Sequence, residues 1–206
     1  MVLNINLLLK IFNHKIIPFL YFKFIYTEND MTENLDDLDS NSKISKNILR
    51  DLIKAEANNV HMEDIMLASS FLREDSKYMP SSYRHDYIER FSRAFFNRIK
   101  DIKEDKCNYP GDVETNNIKE FLEVINEQRD NTDRKNERCF VKIARIISTY
   151  TIFVLEEPIH PIGTKFPGGF ILYFENGFYY CPVKKNQMDN PSALCRFCVA
   201  VQNENV

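Results

Sequence analysis

The chain has 206 residues, 44% of them hydrophobic and 28% charged, with a net charge of −3 and a pI near 5.9. That length supports one domain of ordinary size with a buried core and is short for two. No global basic excess draws the chain to nucleic acid or to an acidic membrane surface.

Residues 1–30 form an apolar N-terminal extension, running from Val2 through Leu7, Leu8 and Leu9 to Tyr26. Lys10, His14, Lys15, Pro18 and Lys23 interrupt it. Its uninterrupted apolar stretches fall short of the roughly 20 residues that a bilayer requires, so no stable membrane insertion is expected. No small-residue cleavage site marks it as a signal peptide. Met31 opens an ordinary acidic start, MTENLDDLDS, so residues 1–30 read as an artefact of start-codon choice or a peripheral segment rather than as a membrane anchor. Residues 31–42, with Glu33, Asp36, Asp37 and Asp39, read as an acidic, solvated linker.

Residues 43–157 read as a helical domain. Ile44, Ile48, Leu49, Leu52 and Ile53 mark one helix face, with Ser42 or Ser45 as its cap. A second helix carries Ile65, Met66, Ala68, Phe71 and Leu72, with Glu63 and Asp64 at its positive end. Pro80-Ser81-Ser82 starts a third, whose stripe runs from Tyr83 to Ile102. The turn Asn108–Asp112 separates it from a fourth around Ile118, Phe121, Leu122 and Ile125. A fifth element spans about 133–155. Its Ser148–Leu155 run is β-branched and aromatic, a composition that also suits a strand.

Texture changes at Pro158. Four of the five glycines and five of the eight prolines lie from there to the end. Residues 158–169 read as an irregular loop. Asn176-Gly177 between two apolar runs predicts a β-hairpin, because both residues accept positive φ. Asp189–Ser192 then reads as a cap and first turn of a short helix carrying Cys195 and Cys198. The expected class is mainly α: a multi-helix domain with residues 158–206 packed on it as a loop, a C-terminal β-hairpin and a cysteine metal knuckle.

The chemistry concentrates in that tail. The five cysteines are odd in number, and Cys181, Cys195 and Cys198 lie within 18 residues. Such spacing points to a reducing compartment and metal or redox chemistry rather than to a secreted disulfide framework. A hairpin cysteine plus a C-x2-C pair can place three thiolates on one metal ion, and a helix start lowers thiol pKa. His160, flanked by Pro158 and Pro161, is the favoured fourth ligand, and Cys139 the second candidate. Zn2+ leads; an iron–sulfur cluster, a Cys195/Cys198 redox pair and simple buried cysteines are the alternatives. Elsewhere, Gly163-Thr164-Lys165 lacks the full phosphate-loop pattern. His85 and Glu89 read as a solvated helix pair, and Arg84, Arg90, Arg93 and Arg98, interleaved with acids, as mixed surface charge.

The runs PIHPIGTKFPGGF (158–170), YYCPV (179–183) and DNPSALCRFC (189–198) resemble an uncharacterised archaeal protein family found mainly in methanogens. The resemblance implies a cytoplasmic, strictly anaerobic setting and carries no catalytic residues over. Two functions fit. One is a structural metal site supporting a binding or adaptor role, with an unknown protein or small-molecule partner and no nucleic acid. The other is a metal- or thiol-dependent enzyme of anaerobic metabolism. A closed four-ligand site argues for the first, and an open coordination position for the second.

Overall fold

A computed structural model describes residues 34–166 and 168–203. The expectations for residues 1–30 and for the start at Met31 lie outside the described residues. Residues 34–203 fall within a single compact unit.

The acidic stretch is not wholly a solvated linker. Asn34 caps a 3-10 turn, Leu35–Asp37, its side chain accepting from the Asp36 amide. Leu35 and Leu38 point into the core, at 0% and 3% exposure. Their removal from water outweighs the hydrophilic character of their neighbours. A short strand β1 (Lys43–Ser45) follows and pairs antiparallel with β2 (Asp112–Glu114).

Helix α1 (Lys46–Asn58) starts where Ser45 Oγ accepts from the Ile48 amide at 3.3 Å. It buries Leu49, Ile53 and Ala57. Helix α2 (Met62–Asp75) starts where the Asp64 carboxylate accepts from the His61 amide at 3.0 Å. The predicted third helix is continuous but not uniform. Helix α3 (Ser81–Asp86) passes through a π-helical turn, Tyr87–Phe91, into α4 (Ser92–Glu104). Helix α5 (Thr115–Asp130) extends further in both directions than its apolar core suggested.

The fifth element is helical throughout: α6 (Lys135–Thr149) runs directly into a second π-helical segment, Tyr150–Val154. Every residue of that segment is buried. A β-branched, aromatic run is satisfied as helix here because neighbours cover it on all sides, so tertiary packing overrides strand propensity. Helix α2 lies along α6, and α1, α4 and α5 also pack on it. Glu156, at φ 55°, ends the helix in the left-handed conformation.

The tail departs from expectation in two places. Residues 163–172 are not an irregular loop. The Gly163 and Phe166 amides donate to Leu172 and Phe170 oxygens, each at 2.8 Å, and fold the segment back on itself. The predicted hairpin is present as β3 (Tyr173–Glu175) and β4 (Phe178–Cys181), with Asn176 and Gly177 at φ 51° and 85°. A third strand, β5 (Val201–Gln202), pairs parallel to β4. The expected helix over 189–198 is instead an Asn190-centred turn followed by a 3-10 turn, Leu194–Arg196. The helix in this region is earlier and shorter: α7 (Lys184–Gln187).

Aromatic contacts tie the tail to the helical body. Phe121 of α5, fully buried, meets Phe153 and Phe197 edge-on, both at 5.4 Å between centroids. Truncating it removes packing on both sides of that junction. Phe121→Ala is expected to lower unfolding free energy by about 3–5 kcal/mol, measured by urea denaturation. A loss below about 1 kcal/mol would show that the junction repacks.

A polar network closes the far end of α4. The Tyr150 hydroxyl donates to Asp105 Oδ2 at 2.8 Å and lies 3.0 Å from the Tyr109 hydroxyl. Burial pushes the Asp105 carboxyl up. Hydrogen bonds from the Cys107 amide and from Tyr150 outweigh that push and hold the carboxyl below its ordinary value. A depressed folded pKa stabilises above the unfolded value of about 4 and stops doing so as pH falls through the folded value. Stability measured by chemical denaturation is therefore expected to decline below about pH 4, and less steeply in Asp105→Asn. Equal acid sensitivity in both proteins would remove Asp105 from that role.

Candidate functional site

Each predicted ligand is positioned by a different local device. His160 follows the end of the π-helical segment, where the Glu157 amide donates to the Thr151 oxygen at 2.9 Å and turns the chain. Its ring sits between Phe91 and Phe166, with centroids 5.4 and 5.3 Å away. Burial pushes the imidazole down to about 4, so it is neutral at pH 7. Cys181 ends β4, its carbonyl accepting from the Asn203 amide at 2.9 Å. Cys195 lies in the 3-10 turn, and the Cys198 amide donates back to its carbonyl at 3.2 Å.

These four residues line one cavity of about 220 Å³, together with Leu172, Leu194, Ala200 and Lys184. All five cysteines of the chain are free thiols. Burial raises the Cys181 and Cys195 thiols, and repulsion from Cys198 adds to both. The expected lowering by a helix N-terminus is therefore absent: Cys195 sits in a single 3-10 turn, which aligns too few amides to offset desolvation. Among the described residues, no three His, Cys, Asp or Glu side chains stand close enough together to hold a metal ion. The four groups share a chamber without converging on a point in it.

Lys184 is the member that sequence reasoning missed. Its ammonium donates to the Cys198 and Ala200 carbonyls at 2.8 and 2.6 Å, and its charge lowers the Cys181 and Cys195 thiols against the larger effect of burial. Nothing in a lysine three residues after a cysteine signals this.

The remaining candidates disperse. Cys139 faces Asp64, with Sγ 3.7 Å from Oδ1, and lines a different cavity. His85 and Glu89 are 3.9 Å apart on an exposed face. Arg84 binds the Lys77 and Met79 carbonyls, Arg93 pairs with Glu89, and Arg98 pairs with Glu157 at 3.0 Å. His160 also borders a second cavity of about 350 Å³, walled by Phe91, Phe95, Arg98, Thr151 and Tyr179. No helix among the described residues is long and apolar enough to cross a membrane.

A family model described as an uncharacterized protein conserved in archaea (DUF2115) matches residues 45–203. A UPF0305 protein of Methanothermobacter thermautotrophicus is 52% identical over 158 residues, covering 77% of this chain and 96% of its own length. Another, of Methanocaldococcus jannaschii, is 32% identical over 149 residues, 71% of this chain and 90% of its own length. A third, of Methanopyrus kandleri, is 30% identical over 142 residues, 68% of this chain and 99% of its own length. No solved structure matches. These matches agree with the archaeal resemblance drawn from the tail. The chain belongs to the uncharacterized archaeal family DUF2115.

Proposed function

We propose that the chain is a cytoplasmic metal-binding protein in which Cys181, Cys195, Cys198 and His160 hold one Zn2+ as a structural brace for a binding or adaptor surface. The observation that carries this reading is the shared cavity: three thiols and a neutral imidazole, drawn from three segments, line one chamber. Three thiolates and an imidazole form an ordinary structural zinc set. Binding would require side-chain rotation toward a common point and loss of three thiol protons, which makes loading pH-dependent. Lys184 favours the loaded state, because a tri-thiolate zinc site carries a net charge of −1 that an adjacent ammonium offsets.

A second reading has its own observation. His160 borders the larger cavity as well, so a metal held there could keep a coordination position open toward bound substrate. That arrangement belongs to a metal- or thiol-dependent enzyme. An iron–sulfur cluster on the three cysteines is the remaining variant of the metal reading.

Elemental analysis and an absorption spectrum of anaerobically purified full chain separate these. One equivalent of zinc without visible absorption is expected. Iron with visible charge-transfer bands would replace zinc by a cluster. No metal, even after titration with zinc, would overturn the proposal. If the site is structural, chelation should lower the melting temperature, because binding free energy there is folding free energy. An unchanged melting curve after complete metal removal would refute the bracing role.

The ligand set has its own test. Cys195→Ser and Cys198→Ser are expected to abolish metal retention, and His160→Ala to weaken metal affinity by about 10-fold or more. Cys139→Ala should retain metal and lose only core packing. Metal content and competition with a chromogenic chelator read all four. Loss in Cys139→Ala with retention in His160→Ala would reverse the fourth-ligand assignment, and retention in both would favour an open position.

A further inference from the structure

A different cavity, about 430 Å³ in volume, opens along α6 on the side facing α1 and α5. Its wall carries Lys135, Arg138, Lys142 and Arg145, spaced so that they run down one face of α6, and Arg129 of α5. Four cations over ten residues of helix span about 15 Å. One carboxylate, Glu56, shares the wall with them, and Ile125, Val141 and Ile146 supply an apolar floor.

Arg145 is the deepest cation, its side chain only 12% exposed. It contacts Glu56 at 3.3 Å and Asp36 at 2.9 Å. Yet its Nε and Nη2 atoms are buried without a hydrogen-bond partner, the Asp36 contact having the distance of an ion pair but not the alignment of a hydrogen bond. Buried guanidinium donors are rarely left unmatched. Five cations line this wall against one carboxylate, and an anion seated in the groove supplies acceptors to several of them at once.

The outer cations each have a carboxylate: Glu63 at 2.8 Å from Lys135, Asp133 at 3.6 Å from Arg138, Asp64 at 3.1 Å from Lys142, and Asp130 at 3.0 Å from Arg129. Three of these pairs lie at the exposed rim, where solvent screens them and such contacts are readily exchanged. The Lys142–Asp64 pair is less open, with Asp64 20% exposed, and Lys142 also donates to the Asn59 carbonyl at 3.0 Å. Glu56 is the one carboxylate in the wall itself. Burial raises its pKa, Arg145 lowers it and Asp36 raises it again.

We propose that this groove binds a phosphorylated small molecule, its phosphate held by Arg138, Lys142 and Arg145 and its body seated on Ile125, Val141 and Ile146. The volume suits a small ligand rather than a polymer strand. The site is separate from the cysteine cavity and stands independently of any metal there.

Isothermal titration of the full chain with inorganic pyrophosphate at fixed ionic strength tests it. Saturable binding at one equivalent is expected. Arg138→Ala and Lys142→Ala, with unfolding curves run on both to show that they fold, should each weaken it by about tenfold. Glu56→Gln should tighten it by removing a buried negative charge. Lys100→Ala, on α4 and outside the groove, should leave it unchanged. No saturable heat, or equal weakening by Lys100→Ala and Arg138→Ala, would overturn the site. A single-stranded oligonucleotide that binds more tightly than pyrophosphate and loses affinity in the same rim variants would overturn the small-molecule assignment.

Discussion

Burial of the C-terminal half of α6 and its π-helical continuation is the constraint on which the rest of the molecule depends. Ile143, Ile146, Ile147, Ser148 and Thr149 are buried, and so is every residue from Tyr150 to Val154. No single face of an α-helix can do this. From Ile146 to Val154, nine consecutive buried residues, the side chains sweep the full circumference, so the segment must be enclosed. Helices α1, α2, α4 and α5 supply the enclosure. Two of its polar members are accommodated locally: Thr149 Oγ1 donates to the Arg145 carbonyl at 2.7 Å, and the Tyr150 hydroxyl reaches Asp105 at 2.8 Å. The widened π turn spends helical regularity to place Tyr150 at that network and Phe153 against Phe121.

How far the fold could be read from sequence follows from the range of the forces involved. The Asn176-Gly177 hairpin was legible because a two-residue turn is specified by its own backbone preferences. The helices were legible from their apolar stripes. The β1–β2 pair was not. Its strands have three residues each and lie about 70 positions apart, held by an Ile44–Val113 register and the 2.9 Å Lys43–Glu114 pair. Nothing local announces such a ladder. The Leu35 and Leu38 anchors were hidden for a related reason. A leucine in an acidic run is buried only if a distant surface receives it. The 189–198 segment was read as helix because Asp-Asn-Pro-Ser resembles a cap. Here Asn190 closes its own turn through the Ser192 amide at 3.1 Å, the competing use of the same side chain.

The candidate site divides in the same way. Cysteine and histidine spacing brought forward four residues that line one cavity, because few roles suit a C-x2-C pair with a nearby thiol. The cationic groove gave no such warning. Lys135, Arg138, Lys142 and Arg145 sit among Cys139, Val141, Ile143 and Ile146, and read along the chain they are the polar positions of an amphipathic helix. Only the approach of α5 and α1 turns that polar face into a wall with a floor. A net charge of −3 conceals it further, since the acids that balance these cations lie on other elements.

The orphaned polar atoms give these cavities a common logic. Leaving a buried donor unmatched costs about 1–3 kcal/mol, and a fold with an ordinary stability margin tolerates few such losses. Among the described residues the unmatched side-chain atoms are Arg84 Nε, Asn126 Oδ1, Arg145 Nε and Nη2, and Thr151 Oγ1. Three of these residues border a cavity: Asn126 and Arg145 the cationic groove, and Thr151 the chamber beside His160. Arg145 and Thr151 both project from the enclosed half of α6 and its π continuation. Arg145 answers the Glu56 and Asp36 carboxylates at 3.3 and 2.9 Å, so a charge on this helix is matched by α1 and by the turn before β1. The helix that organises the core thereby also forms part of the wall of both cavities.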